Sequence, residues 1–177
     1  MAKLSAEELE RRIRLVPDFP KKGILFLDVT TVFNDAEAFK SIIDTLAEKY
    51  AGQKIDHVAG VEARGLVIAA ALAYRLGCGM TMIRKPGKLP ADTISESYAL
   101  EYGTNEIQMH KDAFKPGERV LLVDDLLATG GTMRAAISLT EKLGAKVVGV
   151  AFVVELCFLS GAEKFNGYEL YSMIKRK

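Results

Sequence analysis

Apolar and polar positions along the chain fall into blocks of helical and strand length. Leu9, Ile13 and Val16 recur at helical spacing behind Ser5 and Glu8, a capping-box pair, so residues 5–15 are expected to form a short amphipathic helix. Pro17 and Pro20 end it. Residues 24–27, ILFL, have strand length. Asp35 can cap a second helix from Ala36 to Tyr50, with Phe39, Ile42, Ile43 and Leu46 on one face. An alternation follows. His57 to Val61 is an apolar strand, Gly65 to Leu76 a helix stopped by Gly77, and Met80 to Ile83 a strand. Val120 to Val123 is an uninterrupted apolar strand, Gly131 to Leu143 a helix stopped by Gly144, and Val147 to Val154 another apolar strand.

Continuous apolar strands separated by helices indicate an α/β fold, a mostly parallel sheet flanked by helices on both faces. The 177 residues suit one domain, with no linker or repeat. Residues 84–115 break the rhythm. They are polar, contain Pro86, Gly87, Pro90 and Gly103, and show little periodicity. A stretch this long within a compact domain points to function. It is read as an active-site flap, for which a two-stranded ribbon is one form.

Composition narrows the function classes. An apolar fraction of 49% and a charged fraction of 27% describe an ordinary globular protein. The net charge of +1 gives no global case for nucleic acid or membrane binding, so any anion site must be local. Cys78 and Cys157 are read as two buried thiols, and His57 and His110 make no metal motif. The opening MAKLSAEELERR lacks the apolar core of a secretory signal, and Leu66 to Ala73 is too short to span a bilayer. A cytoplasmic location is the expectation.

The most informative run is VLLVDDLLATGGTMRAA, Val120 to Ala136. A buried strand delivers Asp124 and Asp125 at its carboxyl end, where parallel sheets bind ligands. The turn Ala128-Thr129-Gly130-Gly131-Thr132 follows, and then a helix begins. Glycines let several N–H groups point into one concavity, and a helix N-terminus adds free donors and partial positive charge. Thr129 and Thr132 can add hydroxyls. The two aspartates repel a phosphate but suit hydroxyl donors such as a ribose diol. A phosphate cradle beside a diol reader describes a ribose 5-phosphate site. Neither GxxxxGK[ST] nor GxGxxG is present.

At this run the sequence resembles the type I phosphoribosyltransferases, whose motif for phosphoribosyl pyrophosphate (PRPP) it fits at every position. Further segments are similar to the adenine-specific family. They are Pro17-Asp18-Phe19-Pro20, Gly23 to Asp28, Arg84 to Pro90 and Ser97 to Gly103, in the family's order from about Ile13 to Leu156. The resemblance implies the type I fold, with a hood over the base within residues 1–34 and a basic loop and flap within 84–115. It implies transfer of the phosphoribosyl group of PRPP to adenine, giving AMP and pyrophosphate. Mg²⁺ would be held by PRPP and water, not directly by the protein, and a homodimer is expected.

The resemblance also assigns roles. Gly60-Val61-Glu62-Ala63-Arg64-Gly65 matches the pyrophosphate loop, which would place a cis peptide at Glu62–Ala63 and give Arg64 to the pyrophosphate. Lys85 and Lys88 become phosphate ligands. Glu101 becomes the proton-transfer group on the purine, and Tyr102 closes over the reaction centre. The purine would meet Phe26, the backbone at Leu27, and Leu127. Three positions depart from the family's habit: Leu27 and Ala162 stand where arginine is frequent, and Ala63 where serine is usual. Two rival readings accompany this one. A site for a 6-oxo base needs a donor, often lysine, where Val153, Val154 and Glu155 stand. A PRPP-sensing regulator needs a basic face or an added DNA-binding domain.

Overall fold

The computed structural model describes residues 3–99 and 104–177. Helix α1, Ala6–Arg12, starts on the expected capping box: Ser5 Oγ accepts from Glu8 N–H at 3.2 Å, and the Glu8 carboxylate accepts from Ser5 N–H at 2.8 Å. It stops earlier than its spacing suggests. Ile13 is already extended, and strand β1, Arg14–Pro17, pairs antiparallel with β2, Leu25–Asp28. Ile13 and Val16 are β-branched, and here pairing decides between helix and strand. A short α2, Thr30–Phe33, not foreseen from the sequence, leads to α3, Ala36–Lys49, whose Asp35 carboxylate accepts from the N–H groups of Glu37 and Ala38.

Then β3, His57–Val61, α4, Arg64–Leu76, and β4, Gly79–Ile83, follow the expected alternation. Strands β5, Thr93–Ala99, and β6, Thr104–His110, form an antiparallel ribbon within the flap segment. The chain continues as β7, Arg119–Leu127, α5, Gly131–Lys142, β8, Lys146–Leu156, two short 3₁₀ turns, and β9, Leu170–Arg176.

Among the described residues one five-stranded sheet forms, in the order β4-β3-β7-β8-β9, with every neighbouring pair parallel. Strand β9 was not foreseen; it is a half-polar edge with no long apolar run. Ala38, Ile42 and Leu46 of α3 and Ile68 and Leu72 of α4 cover one face. Met133, Ala136 and Leu139 of α5 cover the other, with Ile107 and Met109 of the ribbon. Close packing sets the first layer: a Cβ on Gly60 would lie 2.6 Å from Ala69 Cβ.

The path leaves β3 toward β4 on one side, while β7 lies on β3's other side and leads to β8. The loops after β3 and β7 therefore diverge, and a crevice opens between their carboxyl ends. Open parallel sheets bind ligands at such a switch point.

Candidate active site

Strand β7 carries its apolar run into the acidic pair and past the expected end at Val123. Asp124 sits opposite Phe152, and Leu127 opposite Glu155. Asp124 Oδ1 accepts from Asp125 N–H at 2.9 Å. The first turn of α4 presses on the same carboxylate: a Cβ on Gly65 would come 2.7 Å from Asp124 Oδ1. Burial first, then the neighbouring charge of Asp125, pushes the Asp124 carboxyl well above the usual range. Asp125 is buried, and its Oδ2 accepts from Arg64 Nε at 2.5 Å.

After β7 the turn closes at Gly130, which has φ +77° and precedes α5. No side chain caps that end of the helix, and Arg134 N–H returns to Gly130 O at 3.0 Å. The N–H groups of Gly131, Thr132 and Met133 precede that first return bond, and helix starts leave such donors for a ligand. A cavity of ≈ 80 Å³ lies against Asp124, Ala128, Thr129, Gly130, Gly131 and Thr132. The turn also rests on Gly161. A Cβ there would fall 2.0 Å from Ala128 O, and one on Gly130 would fall 2.8 Å from Gly161 O. Gly161 was not singled out in the sequence, because a glycine's tight contact with a distant loop leaves no local pattern. Ala162, beside it, packs partly buried on the core beneath α5.

The loop after β3 carries a cis peptide at Glu62–Ala63, and α4 begins at Arg64 with Ala63 as its uncapped N-terminal residue. Glu62 accepts from Arg84 Nε at 2.6 Å, and Arg84 Nη1 reaches Lys88 O at 3.3 Å. Arg84 also exchanges backbone hydrogen bonds with Gln108 of β6. Of the three cations in the basic loop, Arg84 is thus committed to a carboxylate and ties the loop's root to the cis peptide. Lys85 and Lys88 are exposed and have no ion pair among the described residues. This division among the cations was not legible in the sequence, where all three carry the same charge.

The hood is the β1–β2 ribbon. Its turn contains a second cis peptide, Phe19–Pro20, and Asp18 Oδ1 accepts from Gly23 N–H at 2.6 Å. Asp28 anchors the other end: Thr30 Oγ1 donates to it at 2.6 Å and Arg14 Nη2 at 2.5 Å. The Thr30 hydroxyl and then the Arg14 guanidinium hold its carboxyl down at about 2. Phe26 meets Phe19 edge to face, with ring centroids 5.0 Å apart, and the Arg64 guanidinium stands 5.5 Å over its ring. Leu27 is only 4% exposed and packs in the α3/α4 core, where a leucine fits without any partner for a charge.

Leu127 is buried with Met133, Phe152 and Phe165 beneath the turn at Ala128 to Thr132. Leu126 is half-buried and packs with the cluster that holds Leu27 and Val29. Burial changes phase across the acidic pair: Leu121, Val123 and Leu126 serve the α4 side, and Val120, Leu122 and Leu127 the α5 side. Strict alternation from Val123 hides this shift, so Leu126 was not singled out. Glu101 and Tyr102 lie outside the described residues.

The crevice thus joins an anion-receptive turn, an acidic pair, a cis loop with an arginine and an aromatic hood. A model of the phosphoribosyl transferase domain family matches residues 30–166, and the chain belongs to that family. The chain is 53% identical over 169 residues to an adenine phosphoribosyltransferase of Trichlorobacter lovleyi, covering 96% of this chain and 99% of the relative. The crystal structure of adenine phosphoribosyltransferase from Thermoanaerobacter pseudethanolicus superposes with a TM-score of 0.94 at 52% identity, covering 97% of this chain and all of that one. The Saccharomyces cerevisiae enzyme, complexed with an imino-altritol bisphosphate and adenine, gives 0.89 at 38% identity, covering 96% and 98% of the two chains. Within the family, this chain is a member of the adenine phosphoribosyltransferases.

Proposed function

We infer that the chain transfers the 5-phosphoribosyl group of PRPP to adenine, releasing AMP and pyrophosphate in purine salvage. The observation that carries this reading is the pairing of the uncapped Gly130–Thr132 turn with Asp124 and Asp125 at one switch point, under a hood that presents Phe26. The turn, with Ala128, Thr129, Gly130, Gly131 and Thr132, receives the 5-phosphate. The acidic pair takes the ribose hydroxyls. Arg64, Lys85 and Lys88 share the charge of the leaving pyrophosphate beside the Ala63 peptide. Adenine lies under the hood against Phe26 and the backbone of Leu27, over the apolar floor of Leu126; Leu127, expected from the sequence to meet the base, is only 1% exposed and packs on the opposite face of the sheet.

Departure of pyrophosphate leaves an oxocarbenium-like centre, and adenine N9 attacks it from the opposite face. Glu101 takes the purine proton, and Tyr102 closes the site. The work of these groups is positioning and charge stabilisation. Among the described residues no three His, Cys, Asp or Glu side chains converge as a metal cage. A Mg²⁺ carried in on PRPP oxygens and water would supply charge neutralisation at the pyrophosphate beside Arg64, Lys85 and Lys88.

The test is product formation from PRPP, Mg²⁺ and each of adenine, hypoxanthine, guanine and xanthine, read by chromatography. AMP alone is expected; another nucleotide would overturn the base assignment. Val153 and Val154, where a 6-oxo base would need a donor, are fully buried. In the same assay Glu101→Leu should lower turnover by about 100-fold and still bind PRPP.

A homodimer is part of the proposal. Val67 and Tyr74 lie one heptad apart on α4 and are 45% and 90% exposed, and Met82 on edge strand β4 is 40% exposed. An apolar stripe of this kind favours a second copy as partner. The double variant Val67→Glu, Tyr74→Asp is expected to shift the protein from dimer to monomer in sedimentation experiments, and an unchanged mass would remove this face from the interface. A cytoplasmic location is also part of the proposal; no described helix is long and apolar enough to cross a membrane.

A further inference from the structure

We propose that Arg64 is a gate that couples the two substrate sites, making tight binding of the base conditional on occupancy of the pyrophosphate site. The inference rests on the phosphoribosyl-transfer reading and deepens it. Two groups that serve different parts of the substrates are joined through this one side chain, which serves a third. Its Nε holds Asp125 Oδ2 at 2.5 Å, and its guanidinium stands 5.5 Å over the Phe26 ring. Asp125 belongs to the ribose site, Phe26 to the base site, and Arg64 itself to the pyrophosphate.

Each contact blocks a substrate contact. The Asp125 oxygen that holds Arg64 is not free for a ribose hydroxyl, and its side chain is only 7% exposed. The face of Phe26 under the guanidinium is not free for a purine. Phe19 already takes a second approach to that ring, edge to face at 5.0 Å.

A bound pyrophosphate group offers Arg64 several anionic oxygens and outcompetes one carboxylate and one ring face. The guanidinium then turns away from Phe26 and Asp125. One movement uncovers the ring for the base and frees the carboxylate for the diol. By linkage, pyrophosphate and adenine must each tighten the other's binding by the same factor. The contact over Phe26 opposes pyrophosphate, so removing the ring should help pyrophosphate bind. General damage to the site would do the reverse.

The experiment is calorimetric titration of adenine into the full chain with and without saturating magnesium pyrophosphate, a pair that cannot react. Saturating pyrophosphate is expected to tighten adenine about tenfold in the wild-type protein. In Phe26→Leu the coupling should fall below about twofold, and pyrophosphate itself should bind about two- to threefold tighter. Phe26→Tyr keeps the ring and should keep the coupling, which covers the case where leucine disturbs the hood. Wild-type coupling below twofold, coupling that survives Phe26→Leu, or pyrophosphate weakened by that variant would each overturn the gate. If AMP forms from PRPP and adenine while coupling is absent, the gate alone falls. If neither base binding nor AMP is seen, the functional reading falls with it.

Discussion

Gly161→Ala is expected to lower kcat/KM for PRPP by about 100-fold or more while the protein stays folded. The new Cβ would lie 2.0 Å from Ala128 O and 3.0 Å from Ala128 C, and neither is the end of a flexible side chain. Something must move, and the mobile side is the turn. Gly161 follows Ser160, which already sits at φ +51°, and begins a 3₁₀ turn whose Phe165 is buried against Phe152. Displacing the Ala128 peptide re-aims the N–H groups from Thr129 to Met133, which must all converge on one phosphate. A misplacement of about 1 Å in a positioning element can cost about 100-fold in rate. Gly167→Ala is the matched control. Gly167 has φ +93° but nothing within 4 Å of its Cβ position, so it carries backbone strain without a clash. That variant should lose about 1 kcal/mol of stability and keep its kcat/KM. Steady-state kinetics with PRPP as the varied substrate, beside thermal unfolding of both variants, makes the comparison. Wild-type kcat/KM in Gly161→Ala would mean that the turn does not depend on its seat.

The contrast between these two glycines shows what a sequence carries. Features that depend on neighbours along the chain were legible: the Ser5–Glu8 cap, the Asp35 cap, the glycine stops after two helices, and the strand-turn-helix around Asp124 and Asp125. Each is a short-range pattern with one physical cause. The ribbon of the flap agreed with its anomalous polarity. Features that depend on contacts across the fold were not legible. Residues 14–16 lie in a run with helical spacing but pair as a strand because β2 lies beside them. Strand β9 has too few apolar positions to declare itself and is recruited by the exposed edge of β8. Arg84 is set apart from Lys85 and Lys88 by its ion pair with Glu62, a residue 22 positions away.

The departures from the family's habit divide in the same way. Leu27 seats its side chain in the core, so the hood keeps its backbone path without the arginine. Ala63 keeps the cis geometry of its loop although it offers no hydroxyl. Both positions therefore preserve the shape of the site while removing a side-chain contact. Under the proposed function, recognition at these points falls to backbone groups and to Phe26 and Arg64.

Asp124→Asn is expected to make the protein both more stable and roughly 10-fold less active. Asparagine keeps an oxygen to accept the Asp125 N–H, now at 2.9 Å, and adds no volume against Gly65. It removes a charge that burial and Asp125 both oppose. The sign follows from linkage. The folded carboxyl titrates above the ordinary value of 3.8, so the folded state holds that proton more tightly than the unfolded chain does. The stabilising contribution is complete below the unfolded value and is lost as pH rises through the raised folded value. As pH rises above the unfolded value the wild-type protein carries a growing penalty that the variant does not, so the variant's Tm advantage should widen toward pH 8. Near pH 4 the advantage should shrink, because Asp124 is then largely neutral. Activity moves the other way. A hydrogen bond from a ribose hydroxyl to a charged acceptor is worth about 1.5–3 kcal/mol, against about 0.5–1.5 kcal/mol for a neutral one, so kcat/KM should fall roughly 10-fold. Thermal unfolding from pH 4 to 8, paired with PRPP kinetics, reads both effects. A variant less stable than wild type at pH 8 would show that Asp124 is held by partners that favour its charge. A variant that stays fully active would show that the diol is read by Asp125 alone. The opposed outcome expected here is the mark of a group retained for binding at the expense of the unliganded fold.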